Sequence, residues 1–341
     1  MSAPIDIVSV GMVTAVGLDA PSACAAMRAR LDGFQQTRFI GSQGDWLVGA
    51  EVPLPRKWIG EKRIAHLAAG AIAETIKKVP DASGQTALIL CLPEEGRPGR
   101  PVRDNSALLR RIAEIVEIEP HARSRIVAHG RPSGHVALDQ ARRVLAADAA
   151  PYVLIAGVDS YLTSSCVGHY LRERRLLTAN NSDGFIPGEA AAAVLCTRSA
   201  KAGLRLFGLG LSREKASIYN KEDLPLRGDG MTAAYRAAFK EAGIGMNRLG
   251  YRISDLLGEQ YWFKQTAIAS LRLVRGRHDF QDLWSPTESL GNVGAAVVPL
   301  MIGMAFTAAQ KGYAAGNPVL IESSDDAGAC GAAVLGARGV E

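Results

Sequence analysis

Aromatic residues make up only 6% of this 341-residue chain, so its core must pack on aliphatic and small side chains. Runs of one charge sign are missing as well. The 39 basic and 34 acidic residues are dispersed, and the net charge of +5 forms no polybasic arm, so no nucleic-acid partner is expected. There is no CxxC pair: Cys24, Cys91, Cys166, Cys196 and Cys330 are scattered and odd in number. That pattern excludes a disulfide framework and a zinc knuckle, and a reducing cytoplasm is the expected location. Residues 1–6 bring Asp6 early and hold no basic region followed by an apolar run, so no secretory signal is expected. The longest apolar stretch, residues 293–309, contains Pro299 and Gly303 and falls short of the ~20 residues that span a bilayer. It is expected to be a helix buried in protein, with no membrane partner.

What the chain does have is 48% hydrophobic residues and 36 glycines, enough for a large core in roughly two domain-sized units at about 150 residues each. The β-branched run 5–11 predicts a strand, and the Ala-rich segment 22–31 after Pro21 a helix. Helical spacing over 61–78 is closed by Pro80, and 86–92 reads as a strand. Residues 106–116 predict a helix, 126–128 a short strand, and the stripe Val136, Ala137, Ala141, Val144, Leu145 a helix after a Gly-rich turn. The continuous apolar run 152–156 is a buried strand. Beyond the polar segment 198–203, strand character returns at 204–211, with a helix at 231–242, strands at 251–256 and 318–322, and a Gly/Ala-rich end. Strands flanked by helices imply an α/β sheet covered on both faces, in two halves, 1–200 and 201–341.

Several segments in order along the chain resemble the β-ketoacyl-acyl-carrier-protein synthases, condensing enzymes of the thiolase superfamily. These are Ile7-Val-Ser-Val-Gly-Met-Val-Thr-Ala-Val-Gly17, Ala156-Gly-Val-Asp159, and Leu176-Leu-Thr followed by Asp183-Gly-Phe-Ile-Pro-Gly-Glu189. Glu288-Ser-Leu-Gly-Asn-Val-Gly-Ala-Ala296 and residues 327–335 complete the set. The resemblance implies a duplicated αβαβα five-layered fold, a homodimer, and a site between the halves. Segment 92–126 is shorter than its family counterpart, which carries dimer and acyl-pocket residues.

The resemblance also assigns positions to the chemistry. The family's nucleophilic cysteine opens a helix at a tight turn, where the helix N-terminus stabilises a thiolate. Here that turn is Gly130-Arg-Pro-Ser-Gly134, and Arg131 stands at the cysteine position. Arginine stays protonated and cannot be the nucleophile. The two histidine positions fall at Leu257 and Asn292, and the lysine position at Thr287. Asn292 could still donate to an oxyanion. Ordinary condensation is therefore not expected. The expected role is a non-condensing protein that binds an acyl-type ligand or a partner such as acyl carrier protein, acyl-CoA or another protein. One alternative is an acyltransferase or decarboxylase using Asn292; another is an adaptor or chaperone-like pseudoenzyme.

Arg131 is read as a salt-bridged plug or, with Ser133 and the nearby helix amides, as an anion site. Ser133 is expected to cap its helix rather than act as a nucleophile, since Gly-x-x-Ser-Gly is not the elbow spacing Gly-x-Ser-x-Gly. His129 and His135 are read as structural or exposed. Cys330 is a possible thiol, read chiefly as a small buried hydrophobe. Cys166 and His169 lack a second pair for a metal site. Gly208-Leu-Gly210 lacks the third glycine of a dinucleotide fingerprint, so no cofactor is expected. Arg172, Arg174 and Arg175 read as a solvated helix face, or as a basic cluster for an acidic carrier protein.

Overall fold

In a computed structural model, which describes residues 4–276 and 281–337, the chain builds two copies of one strand pattern. Along the first half run β1 (Ile5–Val13), α1 (Ala20–Arg28), β2 (Phe34–Ile40), β3 (Trp46–Ala50), α2 (Gly60–Lys77) and β4 (Thr86–Cys91). They continue with α3 (Asn105–Val116), β5 (Arg125–Val127), α4 (Ser133–Ala146), β6 (Tyr152–Ser160), α5 (Ser164–Arg172) and β7 (Glu189–Thr197). The second half holds β8 (Leu204–Arg213), α6 (Asp229–Ala242), β9 (Tyr251–Ser254), α7 (Gln260–Leu273), β10 (Asp282–Trp284) and α8 (Thr287–Leu290). It ends with α9 (Val297–Lys311), β11 (Val319–Ser324) and β12 (Ala329–Ala337). Of the N-terminal segment, residues 1–3 lie outside the described residues.

The duplication is visible in the strand order. The first half pairs β1-β7-β6-β4-β5 and the second β8-β12-β11-β9-β10, so each places its first, fifth, fourth, second and third strand side by side. Directions match too: in each half the three strands farthest from the other half pair in parallel, and the last strand is antiparallel to both neighbours. A short antiparallel contact, Ile5↔Leu206 to Ile7↔Leu204, joins the halves along one edge.

Three cores explain the layering. Residues of α2 and α3 pack on one face of the first sheet, and α6 covers the outer face of the second. Between the sheets lie α4 and α9, both touching strands of both halves. The result is the expected α/β fold of five layers, helix, sheet, helix, sheet, helix. The apolar stretch 293–309 is the central helix: Gly294–Lys311 is long and apolar enough to cross a membrane by length and composition, yet 78% of it is buried inside the protein. Strand β7 shows why small residues matter. Its Ala190, Ala192 and Val194 face the middle core and Ala191, Ala193 and Leu195 the outer one, so helices press on both faces. A weak strand former such as Ala is accepted there because close approach of the layers, not propensity, decides.

Candidate functional site

The turn that opens α4 is set by Gly130, whose φ of +63° is open to glycine and strained for other residues. It aims Arg131 inward, where the side chain is 2% exposed. The guanidinium lies over the Trp262 ring at 4.0 Å. Its Nη1 donates to Asp255 Oδ2 at 3.2 Å, and Nη2 faces Asp326 Oδ1 at 3.5 Å. Asp326 is shared: it also accepts from Arg175 Nη1 at 2.6 Å, while Arg175 grips Glu259 through Nε at 2.6 Å and Nη2 at 2.8 Å. Glu259 in turn accepts from Trp262 Nε1 at 2.8 Å. Two guanidinia of the first half thus meet three carboxylates of the second.

The electrostatics follow from that geometry. The Arg175 and Arg131 cations hold the Asp326 carboxyl below its usual value despite burial. Burial pushes Asp255 up to about 7, against the pull of Arg131. A second buried pair lies alongside: Arg97, from the segment that resembles a shortened family loop, forks onto Asp159 with Nη1 to Oδ2 at 2.8 Å and Nη2 to Oδ1 at 2.5 Å. Asp159 also accepts from the Ala295 amide at 3.0 Å, next to Gly294, whose φ is +51°.

The structure brings Leu257, Thr287 and Asn292 to one cavity of about 200 Å³, walled by Phe185, Ile186 and Phe263. Arg131 is not in that wall. It is tied to it through Asp255, two residues before Leu257, and through Trp262, which shares a buried cluster with Leu257. Asn292 is 3% exposed, and its Oδ1 accepts from Gly294 N at 3.1 Å. Its Nδ2 has no hydrogen-bond partner among the described residues.

Several sequence expectations need correction. Ser133 does not cap α4: Pro132 stands at the cap position with no side-chain hydrogen bond, and Ser133 Oγ accepts instead from His129 N at 3.0 Å. Being already inside the first turn, the hydroxyl reaches back to the incoming chain. Arg175 is not on a solvated helix face; it is 6% exposed, beyond the end of α5, and clamped by Glu259 and Asp326. His135, by contrast, has the structural role read for it: it is fully buried, bonded to Ser323 Oγ at 3.0 Å and Ile321 O at 3.2 Å, and burial drives it down to about 4.

Cys330 packs in the outer cluster beneath α6, while its neighbour Gly331 meets the His135 ring of α4 on the other face of β12. All five thiols are free and buried. Burial pushes Cys24 to about 11, Cys166 and Cys196 to about 12, and Cys91 and Cys330 higher still. No group of three or more His, Cys, Asp or Glu among the described residues could hold a metal ion.

The family-like motifs have structural work in this chain. Gly188 lets the 290–292 backbone cross it, since a Cβ there would run into the Leu290 carbonyl, and its N–H donates to Asn292 O at 3.0 Å. Buried Glu189 takes Arg63 Nε of α2 at 2.9 and 3.0 Å and the Val52 amide at 3.0 Å. Asp183 accepts from Gln260 N at 2.7 Å and so starts α7 from the other half.

These features define a protein of the thiolase-like ketosynthase fold. The chain superposes on the ishigamide ketosynthase/chain length factor with a TM-score of 0.80 at 16% identity, covering 99% of this chain and 100% of that one. A ketosynthase in complex with its chain length factor from Xenorhabdus doucetiae gives 0.78 at 15% identity, covering 98% of both chains. A β-ketoacyl synthase from Burkholderia phymatum gives 0.77 at 15%, covering 99% and 100%. No family model and no curated protein sequence matches the chain.

Proposed function

We propose that the chain is a non-condensing member of the ketosynthase fold that acts by binding a protein partner, foremost an active ketosynthase. One observation carries this reading. At the turn where the resemblance puts the nucleophile, Arg131 is buried, stacked on Trp262 and paired with Asp255 and Asp326. A residue so held supplies no lone pair, and losing a nucleophile alone costs a condensing enzyme several orders of magnitude in rate. Leu257 adds an apolar side chain where proton exchange would be needed. Support for a partner comes from structures of the same fold that pair a ketosynthase with a chain length factor, or with an acyl carrier protein as well. Self-association into a homodimer is the alternative assembly.

Asn292 favours a second reading, an acyltransferase or decarboxylase, because its unpartnered Nδ2 lies on the wall of a cavity. One experiment separates the two. The protein is incubated with acyl-CoA, acyl carrier protein and malonyl-CoA and examined by intact mass and product analysis. It is also co-expressed with a ketosynthase from the same genome and sized by light scattering. The partner reading expects no adduct, no turnover and a stable complex. A covalent acyl adduct or malonyl decarboxylation overturns it.

A further inference from the structure

A hollow of about 480 Å³ opens away from the turn, between the end of α1 and the elements β10, α8 and α9. Its surface is mainly polar, so a hydrocarbon chain would gain little there and leave charged groups desolvated. Charges of both signs supply the polarity: Arg28 and Arg30 from the end of α1, and Glu288 from α8. Among the described residues none of the three has an ion-pair partner, and although they share one hollow they do not pair with one another. Arg28 lies over the Tyr313 ring at 4.3 Å, so an aromatic face, not a carboxylate, holds it in place.

Basic residues in the last turn of a helix are ordinary partners of its dipole, and Arg28 has that position in α1. Arg30 is different. It follows the cap residue Ala29 at a φ of +57°, a left-handed position that suits glycine, and its amide donates to Met27 O at 3.0 Å. Glycine would close this turn with less strain, so nothing in the helix end itself calls for arginine. The two charged elements are also tied to each other: the Gly33 amide, in the chain leaving α1, donates to the Ser289 carbonyl of α8 at 2.9 Å. Two cations and one carboxylate, set apart before any ligand arrives, match a molecule that carries both opposite charges close together. The lesser apolar part, Met27 and Met304 with the Trp284 ring, accepts a side chain of modest size.

We infer that this hollow binds a small zwitterion of the amino-acid type, its carboxylate at Arg28 and Arg30, its ammonium group at Glu288 and its side chain against Met27, Trp284 and Met304. The site goes beyond the partner reading and does not depend on it.

The test measures binding of L-phenylalanine to the intact protein by isothermal titration calorimetry, beside hydrocinnamate, which lacks the ammonium group, and phenethylamine, which lacks the carboxylate. L-phenylalanine should bind one equivalent, and each of the other two at least about tenfold more weakly, for the loss of a charge-assisted contact. Arg30→Gly removes a cation and relieves the left-handed position, so its thermal midpoint should be no lower than that of the wild type while its affinity falls at least about tenfold. Arg30→Lys should keep most of the affinity. Glu288→Gln should bind L-phenylalanine no better than hydrocinnamate. Because Glu288 also lines the Asn292 cavity, Phe263→Ser, which alters the wall of that cavity alone, should leave binding unchanged. Circular dichroism checks the fold of each variant. Equal affinity of the wild type for L-phenylalanine and either analogue, unchanged affinity in Arg30→Gly or Glu288→Gln, loss of binding in Phe263→Ser, or no saturable binding of L-phenylalanine at millimolar concentration overturns the inference.

Discussion

Asp255 and His135 are buried titratable groups whose effects on stability have opposite sign. Folding raises the Asp255 pKa from 3.8 to about 7, so the folded state holds an extra proton between those values. Its contribution is fully present below 3.8 and is lost as pH rises through about 7. The slope is at most about 1.4 kcal/mol per pH unit. His135 is lowered from 6.5 to about 4, so its contribution is present above 6.5 and lost as pH falls toward 4. Urea unfolding of the wild type and Asp255→Asn between pH 4 and 8 checks the first: stability of the variant relative to wild type should climb with pH up to about 7. A constant difference between the two would contradict it. The thiols give a second prediction at this scale. Because burial raises all five, iodoacetamide at pH 7 should alkylate Cys330 no faster than Cys91, and both only on unfolding, as read by intact mass. Rapid native labelling of Cys330 would restore it as a reactive thiol.

Among the elements, the crossing of β7's entry by the 288–292 segment is a tight backbone-to-backbone joint at the candidate site. Gly188→Ala would drive a methyl into the Leu290 carbonyl, and neither backbone can give way without moving Asn292. The expected cost is about 1–3 kcal/mol in urea unfolding; an unchanged midpoint would show that the crossing is loose. Such joints explain what the sequence disclosed. Elements with a local pattern were legible: α2 and α3 by their apolar stripes, β4 and β6 by continuous apolar runs, and α9 by its unbroken apolarity. Strand β7 was not, because its Ala-rich segment 189–194 has no alternation when both faces are buried. Helix α7 was not either, because its start is set by Asp183, 77 residues away, and its own cap position makes no side-chain bond. The β2–β3 hairpin has too polar an outer face, with Gln36 and Arg38, to read as a strand pair. At the site, Arg131 was visible as a misplaced charge at a helix start, whereas its partners Asp255 and Asp326 and the platform Trp262 lie 124 or more residues further on. Long-range pairing leaves no local trace.

At the scale of the whole molecule, the repeated strand order suggests two units of 1–200 and 201–341, yet the energetics bind them as one. The middle core draws on β1, α1, α4, β6 and β7 from one side of residue 200 and on β9, α9 and β11 from the other. Burial of apolar surface stabilises by about 25 cal/mol per Å², so either half alone would expose a whole core face that only the other half covers. Across the same boundary Arg131 and Arg175 meet Asp255, Glu259 and Asp326. Removing one member of a buried pair costs about 3–5 kcal/mol, because the partner charge stays buried without compensation. Asp326→Asn should therefore lower the thermal midpoint clearly, as two guanidinia lose their common counter-ion. The unfolding should nevertheless remain a single calorimetric transition, since the shared middle layer is untouched. Residues 1–200 expressed alone should show no cooperative unfolding. If instead Asp326→Asn splits the transition in two, or the isolated half melts cooperatively, the halves are separate folding units and the buried ion pairs, not the middle layer, are what joins them.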